Sequence, residues 1–332
     1  MRAVVHQGRA DFEGLSYRAD FPDPAPGPGE VRVALKSAGL NHRDLFIVQK
    51  RHQAEDPALV IGSDGAGIVS GVGENVTSVH VGDEVVIIPS LRWQKKSPAP
   101  PDDFDILGFP DNGTLAESIV VSEKQVAAKP GYLTWEEAGV LPLSALTGYR
   151  ALFTRGGLKP GDTVFIPGIG SGVATYMLQM AKAVGARVIV SSRSSEKLDR
   201  AKTMGADIVL NNEQNWTEAV GDITVDLVIE SVGAATFNRS LALLKPGGTI
   251  VTFGASAGDE VSIDLRQFFY KQWNLHGTTM GSIEEFYEML NLFNKFQIHP
   301  VVDRSFELKD AGEALKRLMT GSQFGKIAIL IG

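Results

Sequence analysis

The sequence predicts an α/β protein in two parts, and three observations carry the prediction. Up to about residue 125 the chain is a series of short β-branched runs broken by glycine and proline. Beyond that point strands and helices alternate. Where the alternation begins, the octapeptide Pro167-Gly-Ile-Gly-Ser-Gly-Val-Ala174 sets three glycines at alternate positions between an apolar run and an amphipathic stretch. A chain of 332 residues exceeds what one compact core usually serves, so two domains are expected.

The first part reads as a mostly antiparallel or barrel-like unit. Its runs "EVRVALKSAG", "GAGIVSGVG", "GDEVVIIP" and "LAESIVVS" have strand length and are bounded by turn residues. "DPAPGPGE" is a turn-rich connection, "HRDLFIVQ" a helix, and the polar, proline-broken stretch 91–113 an exposed loop. Five strands follow, "DTVFIPG", "RVIVSS", "DIVL", "VDLVIE" and "TIVTFG", with "NLHGTT" (274–279) a candidate sixth. Helices intervene over "GVATYMLQMAKAVG", "SSEKLDRAKTMG" and "TFNRSLALL". The first of these has Val173, Met177, Met180, Ala181 and Val184 on one stripe. Such alternation means βαβ units and a parallel sheet with covered faces. The tail carries a capping-box pattern (Ser282, Glu285) ahead of "IEEFYEMLNLFNKF", then the helix "DAGEALKRLMTG" and the strand "KIAILI". It is expected to fold back onto the first part.

Composition narrows the function. Hydrophobic residues make up 43% and charged residues 21%, an ordinary globular balance. A net charge of −7 argues against nucleic acid or an acidic membrane surface as partner. With no cysteine, neither a disulfide nor a thiolate metal site can form. The start lacks the apolar core of a signal peptide, and no apolar run approaches the roughly 20 residues that span a bilayer. A cytoplasmic location is expected.

A glycine-rich strand-to-helix turn lets backbone approach a ligand, and the helix start behind it offers unpaired amides and a positive dipole end. Gly168, Gly170 and Gly172, with Ser171 and Val173 among them, are therefore candidates to cradle a dinucleotide diphosphate, and Ala174 suits close helix packing. A tight turn without ligand is the alternative. No GK[ST] follows, which excludes a P-loop. At the tip of the next strand a free ribose hydroxyl would call for Asp or Glu. This chain has Ser192 and Arg193 there, with Lys197 a helical turn later. Hydroxyl and cations suit a 2′-phosphate, hence NADP(H); a solvated serine-rich turn capping the next helix is the other reading.

Several segments together resemble the medium-chain dehydrogenase/reductase superfamily over essentially the whole length: "AGLNHRDLF", "GSDGAGIVSGVGENV", "VGDEV", "GTLAES", "AGVLPLSALTGYRAL", "GDTVFIPGIGSGVA", "VIESVGAATF", "LLKPGGTIVTFG" and the ending "FGKIAILI". The resemblance is strongest to zinc-type alcohol dehydrogenase-like proteins and the quinone oxidoreductase branch. It implies a GroES-like β-barrel catalytic domain from residues 1–125 and 279–332, wrapped around a Rossmann NADP-binding domain of residues 126–278 with a six-stranded parallel sheet. It implies cofactor contacts at Thr147, at Ser231 and Val232, at Phe253, Gly254 and Ala255, and at Phe324 and Lys326. It also implies pairing of "NLHGTT" across a dimer axis, in a dimer or tetramer.

Zinc-dependent members carry Cys where this chain has Asn41, His-Glu where it has Ser63-Asp64, and a second Cys where it has Leu143; many add a four-cysteine lobe in place of 91–113. The histidines (His6, His42, His52, His80, His276, His299) show no ligand spacing. No zinc is expected. Without a Lewis acid, the negative charge that hydride delivery builds on oxygen must be met by hydrogen-bond donors. A quinone or an α,β-unsaturated ketone spreads that charge by conjugation. The expected function is therefore NADPH-dependent, zinc-independent reduction of such a small molecule. An alcohol dehydrogenase acting on alcohols and aldehydes, or an NADPH-binding protein without turnover, are the alternatives. Asn41 is the candidate polar group facing substrate or nicotinamide, or else the cap of "HRDLFIVQ". His42 is a candidate proton donor or a surface histidine. Asp44 is a catalytic candidate whose other role is to bond amides near the helix start. Phe46 stands where quinone reductases often carry a tyrosine. Asp64 reads as a buried acid or the partner of a basic group. Trp93, Lys95 and Lys96 would shape substrate entry or lie in a solvated loop.

Overall fold

The computed structural model describes residues 1–50 and 55–332; His52 lies outside them. The chain divides into two compact units, Met1–Ser144 with Gly281–Gly332, and Ala145–Met280.

In the first unit the strand Glu30–Gly39 is central, with neighbours Asp64–Val72, Ser118–Ser122 and Lys326–Leu330. Its Val31, Val33 and Leu35 alternate inward into a core shared with Val69, Val85, Ile87, Ile119, Leu315 and Ile329, while Arg32 and Lys36 fall on the other face. The sheet runs outward through Glu84–Ile87 to Val126–Ala128 on one side and through Lys326–Leu330 to Val302–Glu307 on the other. These last two strands are parallel, joined by the helix Ala311–Thr320, which buries Ala311, Ala314, Leu315 and Leu318. The terminal strand lies antiparallel to Glu30–Gly39, with Ala328 opposite Gly39. The tail thus completes the first unit's sheet.

Two sequence expectations are adjusted here. Residues 126–144 pack with the first unit, whereas the sequence division put them in the second. The reason is local: Val126–Ala128 pairs back onto Glu84–Ile87, and the helix Trp135–Val140 lies against the central strand so tightly that a Cβ on Gly39 would come within 2.8 Å of the Val140 Cα. Segment 91–113 is irregular but not merely exposed. It holds a short ladder between Ser90–Leu91 and Asp105–Ile106, and its Trp93 is 1% exposed. The carbonyls of Trp93 and Gln94 accept the Ile283 and Glu284 N–H groups (2.9 and 3.1 Å), capping the helix Ile283–Phe296 beside its Ser282–Glu285 capping box. Lys96 Nζ donates to Glu288 at 2.7 Å, and Lys95 stands 3.7 Å from Glu284. These side chains tie the loop to a helix.

The second unit is a six-stranded, all-parallel sheet in the order Ile208–Asn211, Arg187–Ser192, Thr163–Pro167, Val225–Glu230, Leu244–Thr252, Asn274–Gly277. The order reverses at Thr163–Pro167, so the carboxyl ends of this strand and its neighbours form the switch-point crevice of a Rossmann sheet. Thr163–Pro167 is buried throughout. The helix Gly172–Ala183 behind it buries Tyr176 and Leu178 as well as Met177, Met180 and Ala181, a wider face than the stripe read from the sequence, whose Val173 and Val184 are half-buried. No helix among the described residues is long and apolar enough to cross a membrane.

Candidate functional site

In the second unit, Gly168 and Gly170 have φ of +75° and +118°, in the region that L side chains rarely adopt. A Cβ on Gly170 would come within 2.7 Å of Lys197 Cδ, and one on Gly168 within 3.1 Å of Val232 Cγ2. The turn is therefore bare by requirement, closed in by the Lys197 stem and the Ser231–Val232 loop. Ser171 caps the helix Gly172–Ala183, its Oγ accepting the Ala174 N–H at 3.2 Å. Ser192 is buried and its Oγ accepts the Ser194 N–H (3.1 Å). Arg193 is exposed and makes no ion pair or hydrogen bond among the described residues. No carboxylate stands at this strand tip.

The neighbouring loops are stitched together. Ala257 N–H donates to the Val232 carbonyl (2.7 Å) and Ala234 N–H to that of Gly258 (3.0 Å). Phe253 is half-buried, Gly254 and Ala255 exposed. A residue the sequence reading passed over organises this edge. Glu230 is 0% exposed, and its carboxylate accepts from the N–H groups of Val232 (2.7 Å) and Gly233 (3.1 Å) and from the hydroxyls of Thr236 and Ser240 (both 2.9 Å). An acid at a strand end followed by Thr and Ser at helical spacing was the available signal. Thr147 is buried on the helix Pro142–Tyr149.

In the first unit, Asn41, Asp64, Ser144 and Lys326 form one buried polar cluster. The register of the terminal strand brings Lys326 beneath the end of Glu30–Gly39, where Leu40 N–H donates to the Ile327 carbonyl at 3.1 Å. Its ammonium, 3% exposed, shares its three N–H groups among four oxygens: Asn41 Oδ1 (2.6 Å), the Leu40 carbonyl (2.8 Å), Asp64 Oδ2 (3.0 Å) and Ser144 Oγ (3.1 Å). Asp64, 0% exposed, also accepts from Asn41 Nδ2 (2.8 Å) and the Leu143 N–H (2.7 Å). Lys326 and Phe324, both named as cofactor contacts, lie within the first unit, and Phe324 is 2% exposed.

Asn41 precedes the helix His42–Lys50, but its side chain belongs to the lysine cluster; the helix start is bonded instead by Asp44, whose Oδ2 accepts the Asn41 N–H at 2.7 Å. Asp44 is 0% exposed, and burial lifts its pKa to about 6. His42 keeps solvent access, and desolvation, then the Lys326 charge, lowers its pKa below the usual histidine value. Arg43 and Ser63 were not singled out as a pair. Arg43 Nη1 donates to Ser63 Oγ (3.1 Å) and to the Leu107 carbonyl (2.9 Å), which Ser63 Oγ also meets at 2.7 Å.

The donors fit a zinc ion poorly. Asn41, Ser63 and Leu143 supply no imidazole or thiolate, and the oxygens of Asn41 and Asp64 already hold the Lys326 ammonium. Among the described residues no group of three His, Cys, Asp or Glu could hold a metal.

Residues 27–131 match the alcohol dehydrogenase GroES-like domain and residues 172–295 the zinc-binding dehydrogenase family. A zinc-type alcohol dehydrogenase-like protein YogA of Leptosphaeria maculans is 34% identical over 93% of this chain and 92% of its own. A crystal structure of an NAD-dependent alcohol dehydrogenase superposes with a TM-score of 0.92 at 36% identity, covering 100% of both chains. The 2-octenoyl-CoA carboxylase reductase CinF, solved with NADP and 2-octenoyl-CoA, superposes at 0.88 with 27% identity over 99% of this chain and 87% of its own. The chain belongs to the zinc-type alcohol dehydrogenase-like family of medium-chain dehydrogenases/reductases. It is an oxidoreductase with a GroES-like unit and a Rossmann unit.

Proposed function

We propose that the protein is an NADP(H)-dependent, zinc-independent oxidoreductase that reduces a quinone, an α,β-unsaturated ketone or a related carbonyl. The observation that carries the cofactor choice is the strand tip at Ser192–Arg193: an exposed guanidinium without a partner among the described residues, and no acid at that tip to meet a ribose hydroxyl. The NADP-bound relative supports it. When bound, the reduced nicotinamide supplies the hydride. The glycine turn and the first-turn amides of Gly172–Ala183 hold the diphosphate, Arg193 the 2′-phosphate, and the loops braced by Glu230 complete the crevice. The donor chemistry of Asn41, Ser63 and Leu143 supports zinc independence, and a conjugated acceptor suits a site without a Lewis acid. The likeness to an NAD-dependent alcohol dehydrogenase favours alcohol–aldehyde interconversion as the second reading.

Fluorescence titration and NADPH oxidation in chelator-treated protein test this reading. Arg193→Ala should weaken NADPH binding roughly tenfold to a hundredfold, the worth of one charge-assisted contact, and NADH binding by less than about threefold. Equal weakening of both would sink the NADP assignment. Uptake of neither dinucleotide would sink the redox reading, and alcohol oxidation without enone or quinone reduction would favour the second one.

We further propose that the second unit pairs with a second copy through Asn274–Gly277. Among the described residues this strand has a sheet neighbour on one side only; Leu275 is 43% exposed, and the preceding helix Leu265–Tyr270 exposes Leu265 (73%), Phe269 (54%) and Tyr270 (72%). A two-fold contact would cover both the unpaired edge and the apolar surface. Leu275→Lys with Phe269→Glu should move the sedimentation coefficient to that of a monomer; a wild-type protein that sediments as a monomer at micromolar concentration refutes the pairing.

A further inference from the structure

Arg43 is a half-buried cation with no ion pair to a carboxylate among the described residues. Its Nη1 is fixed between two neutral oxygens, Ser63 Oγ and the Leu107 carbonyl, which are themselves bonded to each other. Nε and Nη2 have no partner among the described residues. The acids within electrostatic reach are otherwise engaged: Asp44 on the Asn41 N–H, Asp105 with Arg92, and Asp64 with Lys326, Asn41 and Leu143. Desolvation dominates the group and lowers its pKa, so the site costs stability in the absence of an anion. A guanidinium removed from water is ordinarily paired with a carboxylate. One pinned by a single nitrogen to neutral acceptors, its remaining donors open, is built to receive negative charge from outside the chain.

We propose that Arg43 is the electrophile of the reaction, hydrogen-bonding the substrate's carbonyl oxygen and stabilising the enolate that reduction creates there. This rests on the carbonyl-reductase reading above. In the step, the hydride forms a C–H bond at the β-carbon, the C=C π pair shifts to give an enolate, and its oxygen carries the charge against Arg43. A solvent proton then adds to the α-carbon, restoring the C=O bond and leaving a saturated carbonyl. The substrate class is an α,β-unsaturated ketone or thioester, whose oxygen is an acceptor. A residue holding an alcohol would instead need to take up its proton, for which a guanidinium is unsuited.

The test compares wild type with Arg43→Met and Arg43→Lys, circular dichroism reporting folding. Arg43→Met should lower kcat/KM for enone reduction about a hundredfold to a thousandfold, as loss of one oxyanion donor does. It should leave the NADPH Kd within about threefold, and Arg43→Lys should recover part of the loss. A second readout needs neither cofactor nor turnover: 4-nitrophenol on the cofactor-free protein should ionise at lower pH than in buffer, followed by phenolate absorbance, and Arg43→Met should abolish that shift. Turnover by Arg43→Met within threefold of wild type overturns the assignment and leaves the carbonyl-reductase reading intact. A wild type without turnover undermines that reading, and the nitrophenol titration then decides Arg43 alone: equal ionisation on wild type and Arg43→Met overturns it. Should Arg43→Met not fold, Arg43→Lys decides, and a fully wild-type kcat/KM with an unchanged phenolate shift in that variant counts against a role for the guanidinium fork.

Discussion

Replacing Lys326 by Met should destabilise the first unit by about 3–5 kcal/mol, the cost of leaving one partner of a buried ion pair uncompensated. Asp64 would keep its bonds from Asn41 Nδ2 and the Leu143 N–H but lose the only cation in contact with it among the described residues, at 0% exposure. Asn41 Oδ1 and Ser144 Oγ would lose a common donor as well. The pair is a coupled system, so Lys326→Met combined with Asp64→Asn should be less damaged than Lys326→Met alone, because no bare charge remains. Urea unfolding followed by tryptophan fluorescence measures both. A single variant within about 1 kcal/mol of wild type, or a double variant whose loss is the sum of its parts, would show that the cluster is not the buried charge pair described here.

Asp44 should give the opposite sign. Burial, the largest influence, raises its pKa from 3.8 to about 6 against the counteracting Asn41 N–H and Arg43 charge. The folded state therefore prefers the protonated acid. The group costs nothing below about pH 4, costs progressively more as pH rises toward 6, and carries its full penalty above that. A shift of roughly two units corresponds to about 3 kcal/mol. Asp44→Asn keeps an oxygen for the Asn41 N–H and drops the charge, at about 1 kcal/mol for a buried amide beside the unpartnered Oδ1 position. The variant should gain about 2 kcal/mol over wild type at pH 8 and lose about 1 near pH 4. A difference between the two that does not change with pH would mean that folding leaves the pKa of Asp44 unmoved.

Much of this architecture was legible in the chain. The alternation of apolar strands with helices, the three glycines at alternate positions and the Ser282–Glu285 cap are short-range signals, and short-range signals survive without coordinates. The polar cluster was not legible as a unit, because Lys326 and Asn41 are 285 positions apart and meet only through strand register. Arg43 was invisible for a different reason: one of its anchors is the Leu107 carbonyl, a backbone atom that every residue type carries. Composition misled at Trp93, where proline and charge suggested solvent but backbone carbonyls cap a distant helix. The division near residue 126 was drawn where the rhythm changes, while Val126–Ala128, too short to announce itself, still belongs to the earlier sheet.

The terminal strand has a consequence for biosynthesis. The Rossmann unit is contiguous, so the ribosome delivers all of it before Lys326–Leu330 exists. It is free to fold co-translationally, whereas the strand Glu30–Gly39 must wait for its last neighbour with Asn41 and Asp64 short of their cation. Chaperone demand during synthesis should therefore fall on Met1–Ser144, which is made before the Rossmann unit and completed after it.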